Sequence, residues 1–204
     1  MSLSDEQRKL LQAAFRMPSV QNMLGRRSSI TNAYVASIIP VVRPSVEEIA
    51  QALQILEMSP ENVRCAYCND RSTEWDHLRP LVLDRRPTGY ISEIANLVPA
   101  CGKCNQSKGN KPWRDWMLSS ATRSPTGRGL PDVSDRIKRL ERYERWREPV
   151  CVDFEAIVGQ TEWREYWSLW EAILKDLKAS QQVADDIKQR VLDHLLPDRT
   201  DEMS

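Results

Sequence analysis

The chain has 204 residues, and its 29 Lys and Arg are balanced by 29 Asp and Glu, for a formal net charge of zero; that length allows one sizeable core or two small ones. No run of about 18 apolar residues occurs and the first thirty positions are studded with charge, so neither a membrane span nor a secretory signal is expected, and the reading is a soluble, cytoplasmic protein. The zero balance hides an asymmetry: residues 79–147 carry about two basic side chains for each acidic one, whereas 149–204 carry 6 against 12, compatible with one face meeting phosphates while the tail stays clear.

Ser4, followed by Asp5 and Glu6, caps a first helix on which Leu10, Leu11, Ala14 and Phe15 recur at helical spacing. Arg26, Arg27, Ser28 and Ser29 read as a loop, and Pro40 and Pro44 impose extended backbone on residues 38–44. Ser45 and Glu48 have capping-box spacing ahead of Ile49, Leu53 and Leu56, which predicts a helix over 45–58. Between Cys65 and Lys111 the helical period gives way to Pro, Gly and Asn punctuation, with a short hairpin expected over 72–83 anchored by Trp75, Leu78, Leu81 and Leu83. After Pro112 a short helix carries Trp113, Trp116 and Met117, and the Gly- and Pro-rich residues 119–132 read as a linker. Ser134 is expected to cap a helix through Ile137, Leu140, Tyr143 and Trp146; Thr161 opens another with Trp163, Trp167, Trp170, Leu174 and Leu177, and Val183, Ile187, Val191 and Leu195 mark a last one. The Trp stripe is first of all a core face, with a dimer interface or a base-stacking surface as the alternatives.

Four of the five cysteines form two C-x-x-C pairs, Cys65 with Cys68 and Cys101 with Cys104. In a reducing compartment this pattern favours a metal over disulfides, and four thiolates close a tetrahedral Zn²⁺ site that leaves no open position, so the zinc is structural. Cys151, between two valines, reads as a buried apolar residue. The residues around the pairs add chemistry. Asp76 and His77 are adjacent on an extended segment, so their side chains point in different directions, one toward a metal and one toward a water. Asn105, directly after Cys104, offers an amide oxygen that a hard cation such as Mg²⁺ accepts.

The order C-x-x-C, Asp-His, Asn, C-x-x-C-Asn, followed by Lys108 and Gly109, resembles the zinc-bound HNH endonucleases of the ββα-metal fold, a group that includes restriction enzymes, phage junction resolvases and homing enzymes. The resemblance covers about residues 62–118. It implies an α+β fold, a small ββα-metal module with a structural four-cysteine zinc, flanked by mainly helical N- and C-terminal regions. It further implies that His77 is the general base, that Asp76 and Asn105 hold the catalytic Mg²⁺ or Mn²⁺, that Asn96 is the middle Asn bracing the loop that carries the His, and that cleavage leaves 5′-phosphate and 3′-hydroxyl ends. Asp rather than His at the first position of the motif favours Mg²⁺ or Mn²⁺ over softer metals. A weaker likeness to bacterial HNH restriction nucleases extends to residues 46–56 and to the Trp-Arg-Asp-Trp-Met run at 113–117.

The basic residues flanking these positions, Arg79, Arg85, Arg86, Lys103, Lys108, Lys111 and Arg114, are the expected phosphate contacts. Base readout is assigned to the Arg26-Arg27 loop or to the basic helix from Arg136 to Arg147. The expected organisation is a helical region over 1–60, the nuclease module with its zinc over 61–118, the linker over 119–132 and a helical region over 133–204. The expected function is a Mg²⁺-dependent endonuclease on double-stranded DNA, most like a type II restriction enzyme acting as a homodimer. The alternatives are a homing or other mobile-element nuclease, a nonspecific toxin-like nuclease, and a non-catalytic zinc module that binds DNA.

Overall fold

A computed structural model describes residues 3–196. They fall into two compact units, one of residues up to Ser28 together with those from Glu171 onward, the other of Ser29–Trp170.

In the first unit, helix α1 (Asp5–Ala14) starts at Ser4, whose hydroxyl accepts from Gln7 while the Gln7 side chain returns to the Ser4 backbone, a full capping box. The backbone N–H of Met23 donates to Gln181 Oε1 at 2.7 Å. Helix α2 (Arg27–Ala36), which belongs to the second unit from Ser29 onward, replaces the loop expected at 26–29. Asn22 explains it: its side chain accepts from Leu24 N and starts a 3-10 turn at Met23–Arg26 that runs straight into the helix.

The second unit holds helix α3 (Val46–Ile55), capped by Ser45 and Glu48 as the spacing predicts and closed when Glu57 takes a positive φ of 56°. The strand order departs from the expected hairpin. Strand β1 (Glu74–His77) does not turn back on its neighbours; the small strands β2 (Val82–Leu83) and β3 (Arg86–Pro87) pair with each other, and β1 pairs antiparallel with the distant β4 (Leu97–Ala100). Local alternation cannot reveal a partner twenty residues away. Helix α4 (Gly102–Lys108) follows β4 directly and packs on β1, which completes a ββα unit, and α5 (Trp113–Leu118) comes next.

Helix α6 (Val133–Trp146) begins one residue before Ser134, after Asp132, whose carboxylate pairs with Arg136 instead of capping the end. Its buried stripe of Ile137, Leu140 and Tyr143 joins Leu56, Tyr67, Leu78, Val98, Trp116 and Met117 in the core. The Tyr143 hydroxyl donates to the Ile94 and Leu97 carbonyls at 2.6 and 3.1 Å, tying α6 to the entry of β4. The expected linker is folded onto this core: Thr126 N donates to the Met117 carbonyl at 3.2 Å and Ser124 is fully buried.

Helix α7 (Phe154–Val158) precedes α8 (Gln160–Leu195), one continuous helix of 36 residues where two were expected. The residues between the two apolar sets, Lys178 to Gln182, contain neither Gly nor Pro, so nothing stops the helix. Trp167 and Trp170 are buried against Tyr34, Thr31 and the guanidinium of Arg86, which lies 4.0 Å above the Trp167 ring. The Trp stripe is therefore a core face. Cys151 is exposed, contrary to expectation, on a strand-like bridge to Tyr90, with its thiol 3.9 Å from the Thr88 carbonyl.

Candidate active site

The two C-x-x-C pairs are brought together by different means. The first is a tight turn in which Cys65 N donates to the Asp70 carbonyl at 2.9 Å, Asn69 N donates to the Cys65 carbonyl at 2.8 Å, and Asn69 adopts a positive φ of 63°. The second is set by secondary structure: Cys101 is the N-cap of α4 and Cys104 lies in its first turn. Ala66 N donates to the Pro99 carbonyl at 2.8 Å, which fastens the turn to β4. All four cysteines are buried, their Sγ atoms lie within 4.8 Å of one another, and Cys68 Sγ is 3.6 Å from Cys101 Sγ. Ligands about 2.3 Å from a tetrahedral Zn²⁺ stand roughly 3.8 Å apart. The donor set fits that ion, and Arg128, with Nη1 4.0 Å from Cys104 Sγ, offsets part of its negative charge.

From this scaffold β1 and β4 run antiparallel, with Asp76 opposite Val98 and His77 opposite Leu97. Asp76 is 5% exposed. Its carboxylate accepts from the Tyr67 hydroxyl at 2.6 Å and pairs with Lys108 Nζ, 3.2 Å from Oδ1 and 3.1 Å from Oδ2. Lys108 is fully buried and also donates to the His77 and Gly109 carbonyls at 2.7 and 3.2 Å. Burial pushes the Asp76 carboxyl up against the pull of Lys108, and pushes Lys108 down against the pull of Asp76. Each charge is held by the other.

His77 sits at the end of β1 with Nε2 2.8 Å from Ser92 Oγ. Burial, with the Lys108 charge adding to it, pulls the imidazole down to about 4, so it is neutral at pH 7 and able to accept a proton. Ser92 is itself pinned: its N–H donates to the Pro40 carbonyl and its carbonyl accepts from Val42, at 3.1 and 2.8 Å, so the extended run between the two prolines serves to position it. Asn96, without exposed surface, accepts from Arg79 N at 2.7 Å and donates to the Arg79 and Ile91 carbonyls at 3.1 and 3.4 Å, clamping the chain just past His77.

Asn105 lies three residues before Lys108 on the same face of α4, and its Nδ2 donates to Glu74 Oε2 at 2.6 Å. Asp76 and Asn105 carry hard oxygen donors of the kind that Mg²⁺ or Mn²⁺ accepts.

The expected phosphate contacts divide. Lys108 is a correction: fully buried on Asp76, it is out of reach of a phosphate on the surface. Arg79 pairs with Glu144, Arg114 with Glu141, and Arg86 stacks on Trp167. Lys111 donates to the Ser107 carbonyl at 2.9 Å, while Arg85 at the β2–β3 turn and Lys103 on α4 are exposed. The basic helix α6 is largely spoken for as well, with Arg139 and Arg142 on Glu57 and Arg147 on Glu48 and Glu93.

Tyr67, Glu74 and Ser92 were missed by sequence reasoning. Glu74 carried a usable signal, because it stands two residues before Asp76 on a strand and so shares its face; Tyr67 and Ser92 carried none.

The family model described as HNH endonuclease matches residues 65–111. A stretch of 65 residues, 30% of the chain, is 42% identical to the CRISPR-associated endonuclease Cas9 of Corynebacterium diphtheriae, of which it spans only 6%. No solved structure matches the chain. With the match falling on the ββα unit and its cysteines, residues 65–111 are an HNH endonuclease domain whose four-cysteine cluster fits the zinc-binding kind.

Proposed function

We propose that the chain is a Mg²⁺- or Mn²⁺-dependent endonuclease that hydrolyses phosphodiester bonds of double-stranded DNA at a specific site, as a restriction enzyme does. One observation carries the reading: β1 holds a neutral imidazole next to a buried carboxylate, and α4, growing from the same cysteine scaffold, lays Asn105 along that strand. Asp76 and Asn105 would hold the divalent cation, which when bound supplies positive charge to a phosphate oxygen and to the departing 3′ oxygen. His77 takes the proton of the attacking water, a contribution of about 10²- to 10⁴-fold. In the tautomer that donates Nε2–H to Ser92 Oγ, the lone pair on Nδ1 is the basic site. Asn96 keeps the backbone beside His77 in place, and the products carry 5′-phosphate and 3′-hydroxyl ends.

The nuclease module is taken to span 61–118, between a helical region at 1–60 and, past the segment 119–132, another at 133–204. Exposed Arg85, Lys103 and Lys111 are the phosphate contacts assigned to it. Nonspecific nucleases grip DNA through many uncommitted cations. Here most arginines of α6 are tied to carboxylates, which favours a site-specific enzyme over a toxin-like one. A palindromic site calls for a homodimer. Trp167 and Trp170 are used internally, so the exposed stripe Val183, Ile187, Val191 and Leu195 of α8 is the face assigned to the partner copy. Among the described residues no helix is long and apolar enough to cross a membrane, and a restriction enzyme meets incoming DNA in the cytoplasm, the location assigned to this one.

The test is incubation of the zinc-loaded protein with plasmid and phage DNA in Mg²⁺, Mn²⁺ or EDTA, beside His77→Ala. Discrete fragments that require both the metal and His77 are expected. A His77-dependent smear would leave a nonspecific nuclease, and no cleavage with either metal would overturn the enzymatic reading. Sedimentation velocity with and without DNA tests the dimer; a monomer under both conditions removes it.

A further inference from the structure

Two residues of one face of β1, Glu74 and Asp76, meet two residues of one face of α4, Asn105 and Lys108: Asn105 bonds Glu74 and Lys108 bonds Asp76. The first of these contacts decides something that the second does not. A side-chain amide has a nitrogen end and an oxygen end that differ little in shape, and a cation accepts only the oxygen. A carboxylate can only accept, so a carboxylate 2.6 Å from one end of the amide requires that end to be NH₂ and turns the oxygen away. The Glu74 carboxylate lies close against the first turn of α4, where a methyl group on Gly102 would stand 2.8 Å from its Oε1.

We propose that Glu74 is a positioning residue that selects which end of Asn105 faces the metal. The inference rests on the reading of Asn105 as a ligand of the divalent cation given above. Glu74 is not itself a ligand. It acts through Asn105, holding the amide in the orientation in which its oxygen is presented, so that no binding energy is lost in turning it.

The experiment measures Mn²⁺ binding by the electron paramagnetic resonance signal of the free ion, on zinc-loaded protein without DNA, for wild type, Glu74→Ala and Glu74→Ala/Asn105→Asp. A carboxylate at 105 presents oxygen at either end and needs no orienting partner, and the double variant carries the same local charge as the wild type. Glu74→Ala should bind Mn²⁺ about tenfold more weakly, the order expected for losing one charge-assisted hydrogen bond, with zinc content and melting temperature unchanged; the double variant should return to wild-type affinity. If Glu74→Ala binds like wild type, Glu74 has no such role and the proposal is overturned. If the single variant is weakened and the double is not restored, Glu74 is a direct ligand and the proposal is equally overturned. If the wild type binds no Mn²⁺, both the catalytic-metal reading and this inference fall, whereas the two preceding outcomes leave that reading standing.

Discussion

Replacing Lys108 by Met tests the electrostatic logic of the site without reference to any metal. The ammonium is fully buried and serves four acceptors, the two oxygens of Asp76 and the carbonyls of His77 and Gly109, at 2.7 to 3.2 Å. Met fills nearly the same space but donates nothing, so a buried carboxylate and two carbonyls lose their partner. Breaking one side of a buried ion pair costs about 3 to 5 kcal/mol. Tyr67, still donating to Asp76 at 2.6 Å, keeps the cost at the low end, about 3 kcal/mol. For a chain of 204 residues this corresponds to a fall in melting temperature of roughly 6 to 12 °C. Adding Asp76→Asn removes the stranded charge, and the double variant should recover more than half of the loss. Thermal unfolding followed by circular dichroism, with zinc present throughout, reads all three proteins. A Lys108→Met melting temperature equal to that of the wild type would refute the reasoning, because it would mean that the buried pair contributes nothing to hold Asp76.

Cys104→Ser should lose zinc, measured by a colorimetric chelator assay, and with it the cooperative unfolding of the Ser29–Trp170 unit, since structural zinc sites supply folding free energy outright; full zinc content with unchanged melting would sink the structural-zinc assignment. The folded His77 binds a proton only near pH 4, whereas in the unfolded chain it does so near the ordinary 6.5. Its contribution is therefore intact above pH 6.5 and is lost as pH falls toward 4, by up to about 3 kcal/mol. Urea midpoints at pH 7 and pH 5 should differ more for wild type than for His77→Gln, and equal differences would contradict the burial of a neutral imidazole. At the β2–β3 turn both central residues, Asp84 and Arg85, have positive φ, 48° and 66°, the conformation that Asn-Gly fits best. Asp84→Asn/Arg85→Gly should raise stability by roughly 1 kcal/mol; if Arg85 also touches DNA, the same variant should weaken DNA binding, measured by fluorescence anisotropy.

Much of the site was legible because its chemistry demands rare residues at fixed spacings. Two C-x-x-C pairs name a tetrahedral site wherever the chain places them, and Ser45 with Glu48 announced α3 through local bonds alone. What stayed hidden depends on distant partners. β1 pairs with β4 rather than with its neighbours because Asn96 and the cysteine scaffold bring β4 alongside, and nothing in residues 72–83 records that. Lys108 looked like a surface cation because a lysine is almost never fully buried; only the approach of α4 to β1 reveals that Asp76 is its counterion. The positive stripe of α6 was real as composition, but Glu57 answers Arg139 and Arg142, and Glu48 and Glu93 answer Arg147 just past the helix end, all three acids from other segments. Glu74 is the instructive miss, since strand periodicity alone placed it beside Asp76.

The central claim, that His77 is the general base of a DNA-cleaving site, is tested most directly by chemical rescue. Plasmid cleavage by zinc-loaded wild type and by His77→Gly is followed in Mg²⁺, with and without added imidazole. The account predicts cleavage by the wild type, none above background by His77→Gly, and activity in the variant that returns in proportion to imidazole. Cleavage by His77→Gly at the wild-type rate without imidazole would contradict it.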